Sequence, residues 1–187
     1  MPLTSLLAIA TLAFSLAAEI PRKAPELAIK MSPSGEKLLS SLRGKTVVLT
    51  CISTTCPHCQ NLTGTLNRIS QEYAAKGVVV YGMAFDPDAS LKIDGFKSQF
   101  RPNYPLGWQT RDVALEFLQH SPIMQLYVPI ILIIDKNGMI REQHLGDDTA
   151  YQTKADESLR KSLDTILASP MKTKAATATS ASAKKKS

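Results

Sequence analysis

The sequence predicts an α/β fold in which a strand–helix–strand unit is followed by further helices, a β-hairpin and a closing helix. Three observations support this prediction. Two apolar, β-branched runs flank a stretch of helical periodicity over residues 46–85, and an Asp-Lys-Asn-Gly sequence joins two further strand-like runs over residues 130–145. An amphipathic stretch then covers residues 154–167.

The strand–helix–strand unit begins with residues 46–52, a run rich in Val, Leu, Ile and Thr that is typical of a buried strand. A helix is predicted from Pro57, because apolar positions recur at steps of three and four, and Gly77 marks its end. The apolar stripe of this helix comprises Cys59, Leu62, Leu66, Ile69 and Tyr73. Residues 78–85 form a second buried strand. A helical crossover of this length predicts that the two strands are parallel.

Two shorter helices are predicted before the hairpin. They cover residues 90–100 and 111–119, and Pro102 and Pro105 break the chain between them. Thr110 is the predicted N-cap of the second helix. The inward face of that helix is predicted to hold Val113, Phe117 and Leu118.

The last part of the domain is predicted as a hairpin and a helix. Residues 130–134 and 139–145 are the two strands, and the Asn-Gly in the connection is the strongest short hairpin signal in the chain. The closing helix over residues 154–167 turns its apolar positions inward. These positions are Leu159, Leu163, Ile166 and Leu167.

The composition is that of a single globular domain with a basic end. The chain has 187 residues, of which 44% are hydrophobic and 20% charged. Five of the 22 Lys and Arg residues lie from residue 172 onward, which leaves 17 basic against 16 acidic residues. Because the charge is confined to the tail, it does not support a basic groove for nucleic acid.

The two ends differ from the domain between them. Residues 1–18 are predicted to be a signal peptide or N-terminal hydrophobic segment, and residues 19–37 a linker and N-terminal extension. The domain is expected over residues 38–168, followed by a disordered tail over 169–187. The apolar run is shorter than the roughly 20 residues of a membrane-spanning helix, which favours cleavage. A tether by the uncleaved segment, or a buried N-terminal helix, is the alternative.

The motif that carries chemistry is Cys56-Pro57-His58-Cys59, at the junction of the first strand and the helix. Pro57 suits the first helical turn. Cys56 therefore lies at the helix N-terminus, where unpaired N–H groups and the helix dipole favour a thiolate. Pro57 and His58 are expected to tune this thiol, and Cys59 falls on the buried stripe. The motif predicts Cys56 as the nucleophile and Cys59 as the resolving thiol of disulfide exchange.

Other interpretations of the cysteines stay open. A structural zinc site needs a second ligand pair, for which the sequence offers the scattered Cys51, His120 and His144. The two thiolates are also suitable ligands for copper(I). A peroxidatic cysteine is a further alternative, although the upstream proline of such peroxidases is missing. Cys51 is predicted as a small buried hydrophobe, with a regulatory disulfide to Cys56 as the weaker alternative.

These motifs, in this order, resemble the thioredoxin superfamily, and within it the exported TlpA-like and ResA-like branch. The similarity covers about residues 38–167 and rests on residues 42–49, the Cys-Pro-His-Cys motif, Val128-Pro129 and residues 133–140. It implies a thioredoxin-like fold, with a central mixed β-sheet flanked by helices on both faces. It also implies that Pro129 is a cis proline beside the cysteine pair, and that the backbone of Val128 pairs with an extended substrate peptide.

The sequence departs from the family pattern around the motif. Residues with small or aliphatic side chains replace the usual aromatic residues ahead of the first cysteine, so the substrate-facing rim is smaller and less apolar. These residues are Cys51, Ile52 and Thr55. Thr50 stands where thioredoxin has a buried carboxylate, so deprotonation of Cys59 needs water or another acid. The candidate acids are Glu72, Asp86 and Asp88. Cys-Pro-His-Cys is also the tetrapeptide of periplasmic disulfide oxidases, which leaves the direction of electron flow open.

We therefore expect an exported thiol–disulfide oxidoreductase that acts on protein partners, as a reductant in a task such as cytochrome c maturation. A monomer in the periplasm or outside the cell is expected, with an upstream electron donor or acceptor such as a membrane thiol protein. No nucleic acid, metal or cofactor beyond the redox-active Cys56–Cys59 disulfide is expected. The alternatives are a disulfide oxidase of the same fold, a copper(I)-handling module and a non-catalytic binding module.

Overall fold

The computed structural model describes residues 19–169. The predicted signal peptide at 1–18 and all but the first residue of the predicted tail lie outside this range. Among the described residues, no helix combines the length and the apolar character that crossing a membrane requires.

Within this range the chain forms a single eight-stranded sheet whose central strand has one parallel and one antiparallel neighbour. The strands are β1 (Arg22–Lys23), β2 (Ala28–Lys30), β3 (Glu36–Leu38), β4 (Thr46–Ile52), β5 (Val78–Ala84), β6 (Leu106–Trp108), β7 (Ile130–Ile134) and β8 (Met139–His144). Their order across the sheet is β1-β8-β7-β4-β5-β6-β2-β3. Strand β4 runs parallel to β5 and antiparallel to β7, so the expected mixed sheet is confirmed.

Between residues 19 and 169, four α-helices cover the two faces of the sheet, as the resemblance implied. They are α1 (Pro57–Tyr73), α2 (Ala89–Phe100), α3 (Arg111–Leu118) and α4 (Thr149–Ala168). Apolar side chains of α3 pack on one face, and those of α1, α2 and α4 pack on the other. All seven residues of β4 are buried, because helices cover both sides of this central strand. The burial explains why residues 46–52 are almost continuously apolar.

The expectation of a linker before residue 38 is wrong, because this segment supplies three of the strands. Leu27 and Ile29 are buried and alternate with half-buried neighbours, which is the period of a strand with one covered face. Strand β2 pairs with β3 and β6, and β1 pairs with β8. The Arg22 guanidinium anchors β1 by donating to the Phe117 carbonyl at 3.0 Å, at the C-terminal end of α3.

Details of three other elements differ from the sequence-based expectation. Thr110 occupies the N-cap position of α3 but makes no capping hydrogen bond through its side chain, and Val113 is 37% exposed. In the hairpin turn only Gly138 has a positive φ, and Gly138 N–H donates to the Asp135 carbonyl, as in a three-residue turn closed by a glycine bulge. Helix α4 begins earlier, at Thr149, and is kinked at Lys154.

Candidate active site

Cys56 lies at the point where the chain leaves the sheet and enters α1. It is the N-cap residue of that helix, Pro57 occupies the first helical turn, and the Cys56 Sγ accepts a hydrogen bond from the Cys59 backbone N–H at 3.4 Å. The sulfur therefore faces the N–H groups at the positive end of the helix, which stabilise negative charge. Cys56 is partly exposed, whereas Cys59 is 1% exposed.

The buried cysteine of the pair is held as a protonated thiol. Burial raises the pKa of Cys59 most, and a hydrogen bond with the Cys56 side chain raises it further. A backbone hydrogen bond from Ser53 lowers the pKa, and the charges of Cys56 and Asp86 add smaller raising contributions. Both cysteines are free thiols and in contact with each other. The arrangement thus provides an accessible sulfur at a helix N-terminus and a shielded sulfur in contact with it.

The segment before β7 forms the second side of the site. The Val128–Pro129 peptide bond is cis, as the resemblance implied. The Cys56 thiol points at the Val128 carbonyl, with 3.8 Å between sulfur and oxygen. Val128 and Pro129 are only partly buried, and Thr55, which directly precedes Cys56, is exposed. The structure therefore brings together the motif and all three residues that were predicted to contact substrate.

His58 lines a cavity that adjoins the Cys-Pro-His-Cys motif. The cavity has a volume of about 270 Å³ and a lining of mixed polarity. Its larger apolar and aromatic lining residues are Leu62, Pro129, Ile131, Leu145 and Tyr151. His58 and Pro57 are both exposed, and their influence on the Cys56 thiol stays a prediction.

Asp86 is the candidate acid that the structure places near the thiols. The carboxylate of Asp86 accepts hydrogen bonds from the Thr54 backbone N–H at 2.8 Å and from the Thr54 hydroxyl at 2.6 Å. This bridge holds Asp86 against the loop that leads into Cys56. By contrast, Glu72 pairs with Arg160 on the helix surface, and Asp88 pairs with Lys92. The sequence alone made Asp86 one of three candidate acids and gave no reason to prefer it. It also did not predict that Thr54 would hydrogen-bond to Asp86.

Cys51 lies apart from the reactive pair. It is fully buried on β4 and packs in the cluster that faces α3, whereas Cys56 and Cys59 pack in the cluster on the opposite face of the sheet. Burial raises the pKa of Cys51 to about 12. Its position agrees with the predicted small buried hydrophobe and separates it from Cys56 by the thickness of the sheet.

Taken together, the fold and the paired thiols define a thiol–disulfide oxidoreductase of the thioredoxin superfamily. The sequence model of the AhpC/TSA family matches residues 20–143. The chain therefore belongs to the AhpC/TSA family.

Individual relatives agree with this assignment. The chain is 25% identical over 135 residues to the thiol-disulfide oxidoreductase ResA of Bacillus thuringiensis, which covers 72% of this chain and 74% of the relative. It is 22% identical over 129 residues to the thioredoxin-like protein YneN of Bacillus subtilis, which covers 68% of this chain and 72% of the relative.

Solved structures share the fold at low sequence identity. A Chlorobium tepidum protein described as the thiol:disulfide interchange protein DsbE superposes with a TM-score of 0.69 at 21% identity, over 81% of this chain and 99% of its own. A thiol:disulfide interchange protein from Bacteroides sp. gives a TM-score of 0.65 at 16% identity, over 81% and 92% of the two chains.

Proposed function

We propose that this protein is an extracytoplasmic enzyme that reduces disulfides in protein partners, with the assembly of c-type cytochromes as one such task. The observation that carries the proposal is the asymmetry of the pair, with Cys56 accessible at a helix N-terminus and Cys59 buried in contact with it. Export rests on the apolar run at residues 1–18. The redox-active dithiol of Cys56 and Cys59 is the only redox centre that the reaction requires.

The reaction proceeds by two sulfur displacements. The Cys56 thiolate attacks one sulfur of the partner disulfide, and the other partner sulfur leaves and takes up a proton. Cys59 then loses its proton and attacks the Cys56 sulfur, which releases the first partner sulfur as a second thiol. Two electrons pass to the partner, and the enzyme is left with a Cys56–Cys59 disulfide. An upstream dithiol, such as that of a membrane thiol protein, restores the reduced enzyme.

Asp86 is the proposed proton acceptor for Cys59. Because burial keeps Cys59 protonated, its attack on the mixed disulfide requires a nearby base. The charge of Asp86 acts on Cys59, and Thr54 holds the carboxylate in place through two hydrogen bonds. Asp86 therefore takes the role that the carboxylate replaced by Thr50 has in thioredoxin.

Partner binding is proposed to use the backbone of Val128 and the cavity beside His58. The Val128 carbonyl lies beside the Cys56 thiol, so an extended segment of the partner that pairs with this backbone would carry its own cysteine to the attacking sulfur. A side chain of the same segment would enter the cavity of about 270 Å³. Thr55 contributes a small polar rim on the other side. The enzyme is proposed to act as a monomer.

Reduction of insulin with an added dithiol as the electron source tests the proposal. The wild type is expected to accelerate precipitation of the insulin B chain, and C56A to abolish the acceleration. The control is C51A, which removes a cysteine on the opposite face of the sheet and is expected to retain activity. Tight binding of one copper(I) by both thiols with no insulin reduction would favour the metal-handling alternative instead.

The redox potential tests the direction. Equilibration of the Cys56–Cys59 couple with glutathione is expected to give a value near the −270 mV or so of thioredoxin, and a value near about −120 mV would assign the protein as an oxidase.

A further inference from the structure

His144, at the end of β8, is hydrogen-bonded through both ring nitrogens to carboxylates. Nε2 lies 2.9 Å from Glu142 Oε2, and Nδ1 lies 2.8 Å from Asp148 Oδ2. Ionised carboxylates only accept hydrogen bonds, and a neutral imidazole carries a single N–H. Both contacts are therefore satisfied together when the ring is an imidazolium that donates in both directions.

The surroundings of the ring favour that charged form. The titratable groups that face it are Glu142 from β8, Asp148 from the β8–α4 loop and Tyr151 from α4, while β7 presents Ile131. Tyr151 stacks on the imidazole at 3.9 Å between ring centroids, and Glu142 is also held by the Ser162 hydroxyl at 2.6 Å. Burial lowers the pKa of His144, but the two carboxylates outweigh burial and raise it above its usual value.

His144 and its two carboxylate partners, Glu142 and Asp148, form a clamp. This clamp is connected to the reactive pair through the β8–α4 loop. Asp148 also caps α4, since its other carboxylate oxygen accepts the Ala150 N–H at 3.0 Å. Within the same loop, Gly146 N–H donates to the Tyr127 carbonyl at 3.0 Å. A Cβ on Gly146 would lie 2.6 Å from the backbone of Val128, so the loop packs directly on the residue whose carbonyl faces Cys56.

We propose that His144 is a positioning residue for disulfide exchange, whose imidazolium holds the β8–α4 loop against Tyr127 and Val128 and thereby makes exchange at Cys56 depend on its protonation. The proposal rests on the proposed function, because it concerns the same site. His144 touches neither substrate nor the reacting sulfurs and acts through the loop.

The sign of the pH dependence follows from the directions of the pKa shifts. Because the pKa of His144 is raised, the imidazolium stabilises the clamp fully at pH values below the usual histidine pKa of about 6.5. This stabilisation is lost as pH rises through the folded-state pKa of His144. The hydrogen bond from His144 is the largest cause that lowers the pKa of Glu142; the pKa of Asp148 is lowered despite burial. The carboxylate contributions are lost as pH falls through their folded-state pKa values. The clamp is complete between these limits.

The test compares wild type and H144Q in insulin reduction across the pH range. Below the titration of His144 we expect the wild type to be faster by about fivefold or more, the low end of coupling between linked sites. The ratio of the two rates should fall toward one as His144 loses its proton. His58 is present in both proteins and cancels in the ratio. H120Q replaces the remaining histidine, and its ratio to wild type should stay near one at every pH.

Nuclear magnetic resonance supplies a readout without turnover. In the wild type, the backbone amide signals of Gly146 and Val128 should titrate with the midpoint of the His144 ring, and in H144Q this titration should be absent. Should H144Q fail to fold, D148N is the second variant, because asparagine still caps α4 but lacks the charge. It should lower the midpoint of His144 and the pH at which the amides move.

The outcomes separate the two proposals. A wild type that does not reduce insulin at any pH overturns the proposed function, while the amide titration still reports on the clamp. The positioning role alone is overturned if the wild type reduces insulin but the ratio of its rate to that of H144Q does not change with pH. It is also overturned if the amide signals of Gly146 and Val128 do not titrate with His144.

Discussion

Replacing Gly146 by alanine probes the contact between the β8–α4 loop and the active site. Gly146 is buried, and an added Cβ would lie 2.6 Å from three backbone atoms of Tyr127 and Val128. Ordinary contact begins at 3.4 Å, so the two segments must separate by about 0.8 Å. Because these atoms belong to the backbone, no side chain can rotate away to make room.

The expected energetic effect is a modest net loss of stability. Overpacking in a closely packed site costs about 1–3 kcal/mol. Loss of glycine freedom in the unfolded chain offsets about 0.4–1 kcal/mol of this. We therefore expect G146A to lower the free energy of unfolding by about 1–2 kcal/mol in urea denaturation. We also expect slower insulin reduction, because the Val128 carbonyl shifts relative to the Cys56 sulfur.

The same substitution at Gly95 is a matched control with the opposite sign. Gly95 lies inside α2, and a Cβ added there would meet no atom within 4 Å beyond its own helix backbone and chain neighbours. Alanine there should raise the free energy of unfolding by about 0.5–1 kcal/mol and leave insulin reduction unchanged. If G146A is as stable and as active as the wild type while G95A behaves as expected, the close packing of the loop on Val128 has no consequence and the reasoning fails.

The remaining predictions concern the thiols and the core. Alkylation of the reduced protein at pH 7, mapped by mass spectrometry, should label Cys56 at least about tenfold faster than Cys59. The reason is that raising the pKa of a thiol by one unit already removes nine-tenths of its thiolate at this pH. Equal labelling rates in the folded protein would contradict the asymmetry of the pair. D86N should slow release of the mixed disulfide in stopped-flow measurements while leaving the first attack by Cys56 unchanged, and an unchanged release step would exclude Asp86 as the base. L163A should lower the free energy of unfolding by about 2–5 kcal/mol in urea denaturation, because the Leu163 side chain on α4 is fully buried in the core. A loss below about 1 kcal/mol would contradict its place in the core.

The central elements were predictable because their signals are local. The β-branched run of β4, the apolar stripe of α1 and the stop at Gly77 each lie within a single stretch of sequence, and the structure reproduces them within a residue or two. The motif at the N-terminus of α1 follows from the same patterns. Cys59 is buried because it lies on the stripe of the helix, and Cys56 is accessible because it precedes that helix.

The missed elements depend on partners that are distant in sequence. Strands β1, β2 and β3 have two or three residues each, too few for a periodic signal, and they form because β6 and β8 offer open edges. Glu142, which contacts His144, likewise accepts a hydrogen bond from Ser162, a residue 20 positions further along the chain. No local pattern indicates that such polar side chains will meet.

The meeting of Thr54 and Asp86 shows how a distant pair can follow from a register. Strands β4 and β5 are parallel, with Thr46 opposite Val78 and Ile52 opposite Ala84, a constant offset of 32 residues. Continuing that offset by two residues beyond both strands places Thr54 opposite Asp86, which is the hydrogen-bonded pair observed. An acid two residues beyond the end of β5 therefore reaches the loop before Cys56. This chain has Thr50 where thioredoxin has an acid, but the register of β4 and β5 places the carboxylate of Asp86 near the thiols instead.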